Sequence, residues 1–142
     1  MSLDIEPRVS VVRIGVMDAS AGPEQAIFVA PCRCRIIGIS LVDNTAKTAH
    51  ADNKVITTVY NKGAAGDGTT VVASRTGDTP TTDDIAAFVP WPLDLSTTIA
   101  NLELPAGRVL TAKVTEAGTA ASGDLVDAVW VVTYAEGYGG GI

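Results

Sequence analysis

Histidine is almost missing from this chain: His50 stands alone among 142 residues. Cysteine is limited to Cys32 and Cys34, aromatic residues make up 5%, and charged residues only 18% against the roughly 25% usual in globular domains. A nucleophilic triad needs a nucleophile, a base and an orienting group that converge in space. His50 is the one imidazole available for that, set among small polar residues, and it reads as a solvated loop residue. None of the seven serines stands in a Gly-x-Ser-x-Gly elbow. On a strand, Cys32 and Cys34 would project from one face about 6.5–7 Å apart, poor geometry for a disulfide. Zinc would want a second Cys pair. The two cysteines read as small apolar side chains buried in the core.

Positive charge is also in short supply. Ten Lys and Arg face sixteen Asp and Glu, for a net charge of -6 and a pI near 4.5. Arg33, Arg35, Lys47, Lys54 and Lys62 are spread over several segments. Phosphate backbones and anionic bilayers repel such a chain, which excludes nucleic acid and membrane as partners. No apolar run approaches the ~18–20 residues of a spanning helix. Residues 1–8 carry neither the basic nor the apolar region of a secretory signal, so synthesis in the cytoplasm is expected. No period of 20–50 residues marks a repeat array.

What is present is apolar, β-branched and punctuated by turns. Hydrophobic residues make up 46% of the chain, enough for a core without metal or disulfide at this length. Residues 8–17 alternate, with Val9, Val11 and Arg13 on one face and Val12, Ile14 and Val16 on the other. Further strands are expected over 25–30, 34–42, 54–61, 69–75, 108–116 and 125–134. Gly38 is expected at a bulge, and 62–68 in a tight loop rich in residues that tolerate positive φ. Residues 85–89 and 93–95 read as strands flanking a Pro90-Trp91-Pro92 break. Residues 99–104 read as an irregular strand, with one helical turn behind Ser96 as the alternative. Leu104-Pro105-Ala106-Gly107 reads as a β-turn with Pro second and Gly fourth.

About eight strands with turns every 8–12 residues predict an all-β, antiparallel β-sandwich, jelly-roll-like, with an immunoglobulin-like sandwich second. The domain spans 9–136, between an extended N-terminal arm over 1–8 and a flexible Gly-rich C-terminal tail over 137–142.

No catalytic, cofactor-binding or metal-binding residue emerges. Asp83-Asp84 would need a distant carboxylate for glycoside chemistry, and both read as a solvated loop. Asp43, Asp52, Asn53, Asp67, Asp78, Asp83 and Asp84 are hard oxygen ligands of the kind calcium takes, but no twelve-residue loop alternates them. Gly66-Asp67-Gly68 lacks the Lys-Ser/Thr of a phosphate loop. Trp130, in a Val-Trp-Val-Val run, reads as core. Trp91, held extended between two prolines, either displays its indole as a contact anchor or plugs an end of the sandwich. Leu3, Ile5 and Pro7 give the arm an apolar side suited to a neighbour.

Several stretches, taken in order, resemble the small β-sandwich decoration (cement, auxiliary head) proteins of tailed bacteriophages. They are 27–31 (Ile-Phe-Val-Ala-Pro), 36–41 (Ile-Ile-Gly-Ile-Ser-Leu), 59–74, 102–110 (Leu-Glu-Leu-Pro-Ala-Gly-Arg-Val-Leu) and 129–134 (Val-Trp-Val-Val-Thr-Tyr), covering most of 25–135. The resemblance implies a non-enzymatic virion protein on the outer surface of an assembled capsid. Its partners would be the major capsid protein, whose subunits it bridges, and copies of itself in a trimer. Leu3, Ile5, Pro7 and Trp91 are the expected contact residues. A carbohydrate-binding module on the same kind of sandwich is the alternative; it would need coplanar exposed aromatics from among Tyr60, Trp91 and Tyr138.

Overall fold

A computed structural model describes residues 6–118 and 124–137. Ten strands fall into two antiparallel sheets: β1 (Arg8–Arg13), β2 (Glu24–Val29), β3 (Cys34–Val42), β4 (Lys54–Asn61), β5 (Thr70–Thr76), β6 (Trp91–Pro92), β7 (Asp94–Leu95), β8 (Glu103–Leu104), β9 (Val109–Ala117) and β10 (Val129–Glu136). Sheet one runs β1-β10-β3-β6, with β8 also on β3; sheet two runs β2-β9-β4-β5-β7. The first strand lies beside the last and the second beside the next-to-last, and the chain crosses between sheets at every step except the β4–β5 hairpin of sheet two. That is the double Greek key of a jelly roll, and it decides against the immunoglobulin-like order.

Alternation along the strands builds the core. Ile36, Ile39, Leu41, Trp130, Val132 and Tyr134 point inward from sheet one; Phe28, Val59, Val72, Leu110, Ala112 and Val114 meet them from sheet two. Phe28 and Tyr134 touch across the gap with ring centroids 5.1 Å apart. Trp130 is fully buried, as its strand context predicts.

One broken segment departs from the expected strands. Residues 91–104 are expected to supply two strands, but the chain pairs first with β3 in sheet one, then with β5 in sheet two, then with β3 again. Residues 85–89 do not form the expected strand: Ile85 makes a single bridge to Lys47 and the chain then turns. Over 99–104 both alternatives occur in sequence, a 3₁₀ turn (Ile99–Leu102) followed by β8. Ser96 does not cap that turn: Thr98 holds the N-cap position without a side-chain cap bond, and Ser96 Oγ, two residues earlier, accepts from the Thr98 N–H at 3.2 Å and the Asn101 side chain at 3.1 Å.

Two turn expectations meet the structure differently. The register between β3 and β10 slips where Thr133 faces Gly38 and Tyr134 faces Ile36, which is the expected bulge. The Pro-Ala-Gly turn sits one residue later than expected. Arg108 N–H donates to Pro105 O at 3.3 Å, so Gly107 takes the third position, with φ +86°. A positive φ at that place favours glycine.

Candidate docking surfaces

The residues singled out for chemistry are occupied in holding loops. Arg75 of β5 donates from Nε and Nη2 to Asp83 Oδ1 at 3.2 and 3.0 Å, from Nη1 to the Pro92 carbonyl at 2.9 Å and from Nη2 to the Thr82 carbonyl at 3.0 Å. Thr79 N–H donates to the other Asp83 oxygen at 3.0 Å. Burial works to raise the Asp83 carboxyl, but the Arg75 hydrogen bond, the Thr79 N–H and the guanidinium charge outweigh it and hold it below the usual carboxylate range. Asp83 is therefore an ion-paired staple, not the freely solvated acid the sequence suggests. Asp84 accepts from Ala49 N–H at 2.8 Å. His50 Nδ1 accepts from the N–H groups of Asp52 and Asn53 at 3.0 and 2.9 Å, closing its own loop.

The calcium candidates are dispersed in the same way. Asp43 is fully buried against Lys47, 3.7 Å away, and its Oδ1 accepts from Thr45 N–H at 2.9 Å. Among the described residues no three His, Cys, Asp or Glu side chains gather as a metal site. Cys34 is buried, and burial pushes its thiol up to about 11, whereas Cys32 is only half-buried because it lies in the bend before β3.

Trp91 is not displayed. It is 4% exposed, and the reason is its pairing: β6 sets Trp91 opposite the inward Leu41 and Pro92 opposite the outward Ser40. Its Nε1–H donates to Asp83 O at 3.2 Å, and Arg75 stacks 4.4 Å over its ring. The indole plugs the open side of the sandwich, bridging a strand of one sheet to a strand of the other. Pro7 is exposed just ahead of β1, while Leu3, Ile5 and Tyr138 lie outside the described residues.

Adhesive surface lies elsewhere. On the outer face of sheet one, Val9 and Val11 stand opposite Thr133 and Val131, and Val131 and Val129 stand opposite Ser40 and Val42. Val9 and Val11 are 59% and 64% exposed. No charge falls within this patch. Its ends carry charges already paired with each other: Arg8–Glu136 at 3.0 Å, Arg13–Asp127 at 3.3 Å and Arg35–Glu103 at 2.8 Å. An uncharged centre with a polar rim is the anatomy of a protein interface. Sheet two turns a different face outward, with Thr58, Tyr60, Thr111 and Lys113 in register across β4 and β9. There Glu24 accepts from Thr111 Oγ1 at 2.6 Å and Lys62 Nζ at 2.9 Å; the Thr111 hydroxyl, then Lys62, keep its carboxyl low.

A second apolar element was not singled out from the sequence. Phe88 is 72% exposed and holds a φ of +62°, beside the exposed Val89. It stands at the end of the sandwich where the segments 14–23, 43–53, 77–90 and 124–128 meet. A strand-like reading of 85–89 hides it, since alternation gives no warning of a left-handed residue.

No protein-family model matches the chain, and no curated protein matches it. Among solved structures it is similar to structures of infectious bursal disease virus and of particles derived from it. A structure of the Gx strain shares 18% identity over 94% of this chain and 37% of that chain, with a TM-score of 0.34. A crystal structure of the viral particle shares 18% over 89% and 31%, with a TM-score of 0.40. Derived T=1 particles share 16% over 92% and 32%, with a TM-score of 0.37. The chain thus spans about a third of the length of each. At these identities and scores the likeness carries no weight for function.

Proposed function

We infer that this protein is a structural, non-enzymatic virion component that binds the outer surface of an assembled capsid and bridges its major capsid protein subunits, as a trimer. The observation that carries this reading is the outer face of sheet one. Valine and threonine side chains from three adjacent strands form an uncharged patch, while the ionisable groups around it are consumed in ion pairs. Such a face gains free energy by leaving water against another protein surface. Glu6 and Pro7 are exposed and lead into β1 at the edge of that sheet, and the apolar Leu3 and Ile5 of the arm are proposed to contact a neighbouring subunit. A specific contact buries ~800 Å² per partner. A protomer seated across two subunits couples them, and repetition over a shell multiplies modest contacts. The carbohydrate-binding alternative loses its main platform, because Trp91 is buried.

The test is cosedimentation with shells assembled from the major capsid protein of the same virus. Binding should saturate at a fixed ratio to that protein and raise the temperature at which shells come apart. Val11→Asp and Val131→Asp should abolish binding while leaving the monomer folded, and removal of residues 1–7 should weaken it. Wild-type protein that never cosediments, or a measured substrate turnover, would sink the reading.

A further inference from the structure

We propose that Phe88 is a preorganised aromatic anchor that docks the loop end of the sandwich into an apolar pocket, rimmed by Lys or Arg, on the capsid subunit. The inference rests on the reading that the protein binds a shell, and it names a second contact, apart from the outer face of sheet one.

Three observations converge on this residue. An aromatic side chain almost three-quarters exposed stands apart from Phe28, Trp130 and Tyr134, each less than a tenth exposed; Trp91, three residues on, is inside as well. Its backbone is also left-handed at φ +62°, a region that costs a bulky L-residue free energy and persists only where its surroundings impose it. The surroundings do impose it: Phe88 N–H donates to Asp43 O at 2.8 Å, and Val89 N–H donates to Ala86 O at 3.2 Å. Upstream, Ile85 and Lys47 exchange backbone hydrogen bonds at 2.8 and 2.9 Å. The ring is thus presented on a pinned turn, so little conformational freedom is lost on docking.

The charge around the knob selects the partner. The four segments at this end, 14–23, 43–53, 77–90 and 124–128, hold eight of the sixteen acids and only Lys47 of the ten Lys and Arg. Arg13 and Arg75 reach in from their strands to pair with Asp127 and Asp83, and the end remains acidic. Asp18, Asp52, Asp84 and Asp124 are exposed there. Asp18 is held low by the Ser20 hydroxyl and N–H and stays ionised. A second copy offering the same end would be repelled. An apolar pocket with a basic rim satisfies both the ring and the field around it, and it would steer approach at low salt.

Shells assembled from the major capsid protein of the same virus serve as probe, titrated with wild type, Phe88→Gly, Phe88→Leu and Asp84→Asn. Glycine accepts the positive φ, so Phe88→Gly should fold at least as well as wild type. It should lose about 30-fold or more in affinity, the scale of an aromatic hot spot. Phe88→Leu should recover part of that loss, and Asp84→Asn should flatten the salt dependence of association. Phe88→Gly binding as tightly as wild type overturns the anchor, and unchanged salt dependence in Asp84→Asn overturns the basic rim. Wild-type protein that does not bind shells at all fails the shell-binding reading itself, whereas a Phe88→Gly that binds normally fails only the anchor.

Discussion

Arg75 is the cation on which the 77–92 loop depends, and removing its side chain should be among the most damaging single changes outside the apolar core. Both members of the Arg75–Asp83 pair are mostly covered, with side-chain exposures of 16% and 15%. Arg75→Ala takes away two charge-assisted bonds to Asp83, the bonds to the Pro92 and Thr82 carbonyls, and the stacking on Trp91. It leaves the Asp83 carboxylate with the Thr79 N–H as its remaining backbone donor. Removing one partner of a fully buried pair costs about 3–5 kcal/mol, and lost cation–π contact adds ~0.5–1. Partial access of water to both groups reduces the sum, and about 2–4 kcal/mol is expected. For a domain of this size each kcal/mol moves Tm by ~2–4 °C, so the midpoint should fall by about 5–15 °C. Arg75→Met, which keeps the stem against the indole, should fall less.

The pH dependence supplies a second, independent readout. Folding lowers the Asp83 carboxyl below its ordinary 3.8. Its contribution to stability is therefore complete above the unfolded carboxylate pKa and disappears as pH falls through the lower folded value. In Arg75→Ala the burial that opposes ionisation is no longer outweighed by the guanidinium. Stability differences measured by thermal melts should be largest near pH 7 and shrink towards pH 3. A midpoint within about 2 °C of wild type, or a gap that stays constant over that range, would refute the reasoning.

Three further outcomes are expected. Iodoacetamide at pH 8 should label Cys32 and spare Cys34, which is fully buried with a thiol raised to about 11; equal labelling of both in the folded protein contradicts the packing. Gly68→Ala should destabilise by more than about 1 kcal/mol, because a Cβ there would lie 2.7 Å from Asn61 O and 2.9 Å from the Lys62 carbonyl carbon, both backbone atoms; an unchanged denaturation midpoint would count against that loop. Lys47→Met strands the buried Asp43 and should cost about 3–5 kcal/mol in urea melts, while the double change with Asp43→Asn should be milder. A double variant worse than the single one would show that the pair is not the source of the loss.

Most strands are legible in the sequence because their side chains obey a period of two and end at Gly, Pro or Asn. Val9, Val11 and Arg13 do face away from the core, as alternation says, and Gly38 does mark a bulge. The broken segment over 85–104 was not legible in the same way. Two-residue strands contain too few side chains to display a period, and their partners, β3 and β5, lie tens of residues away. The acids failed to announce their role for a related reason. Asp83 and Asp84 are adjacent and chemically identical, yet one is paired with Arg75 and the other bonds Ala49. Only the path of the loop distinguishes them.

The exchange of roles between Trp91 and Phe88 follows from the same physics. Prolines on either side of Trp91 fix an extended backbone, which is compatible with the indole facing water or facing the core. The choice is made by β3: Ser40 and Leu41 are already committed outward and inward by their own alternation, and pairing imposes that parity on Pro92 and Trp91. Phe88 lies beyond the reach of that ladder. Its N–H is taken by Asp43 O, at the point where β3 ends, and this contact turns the backbone left-handed and sends the ring outward. The end of one strand thus sets both residues, burying the aromatic that local stiffness makes conspicuous and exposing the one that an apolar run conceals. If that is the cause, Asp43→Pro in a Lys47→Met background, where no buried charge is left unpaired, should disturb both sites at once, beyond what Asp43→Asn does in the same background. Trp91 fluorescence would shift red, and a probe at Phe88 would lose its fixed orientation.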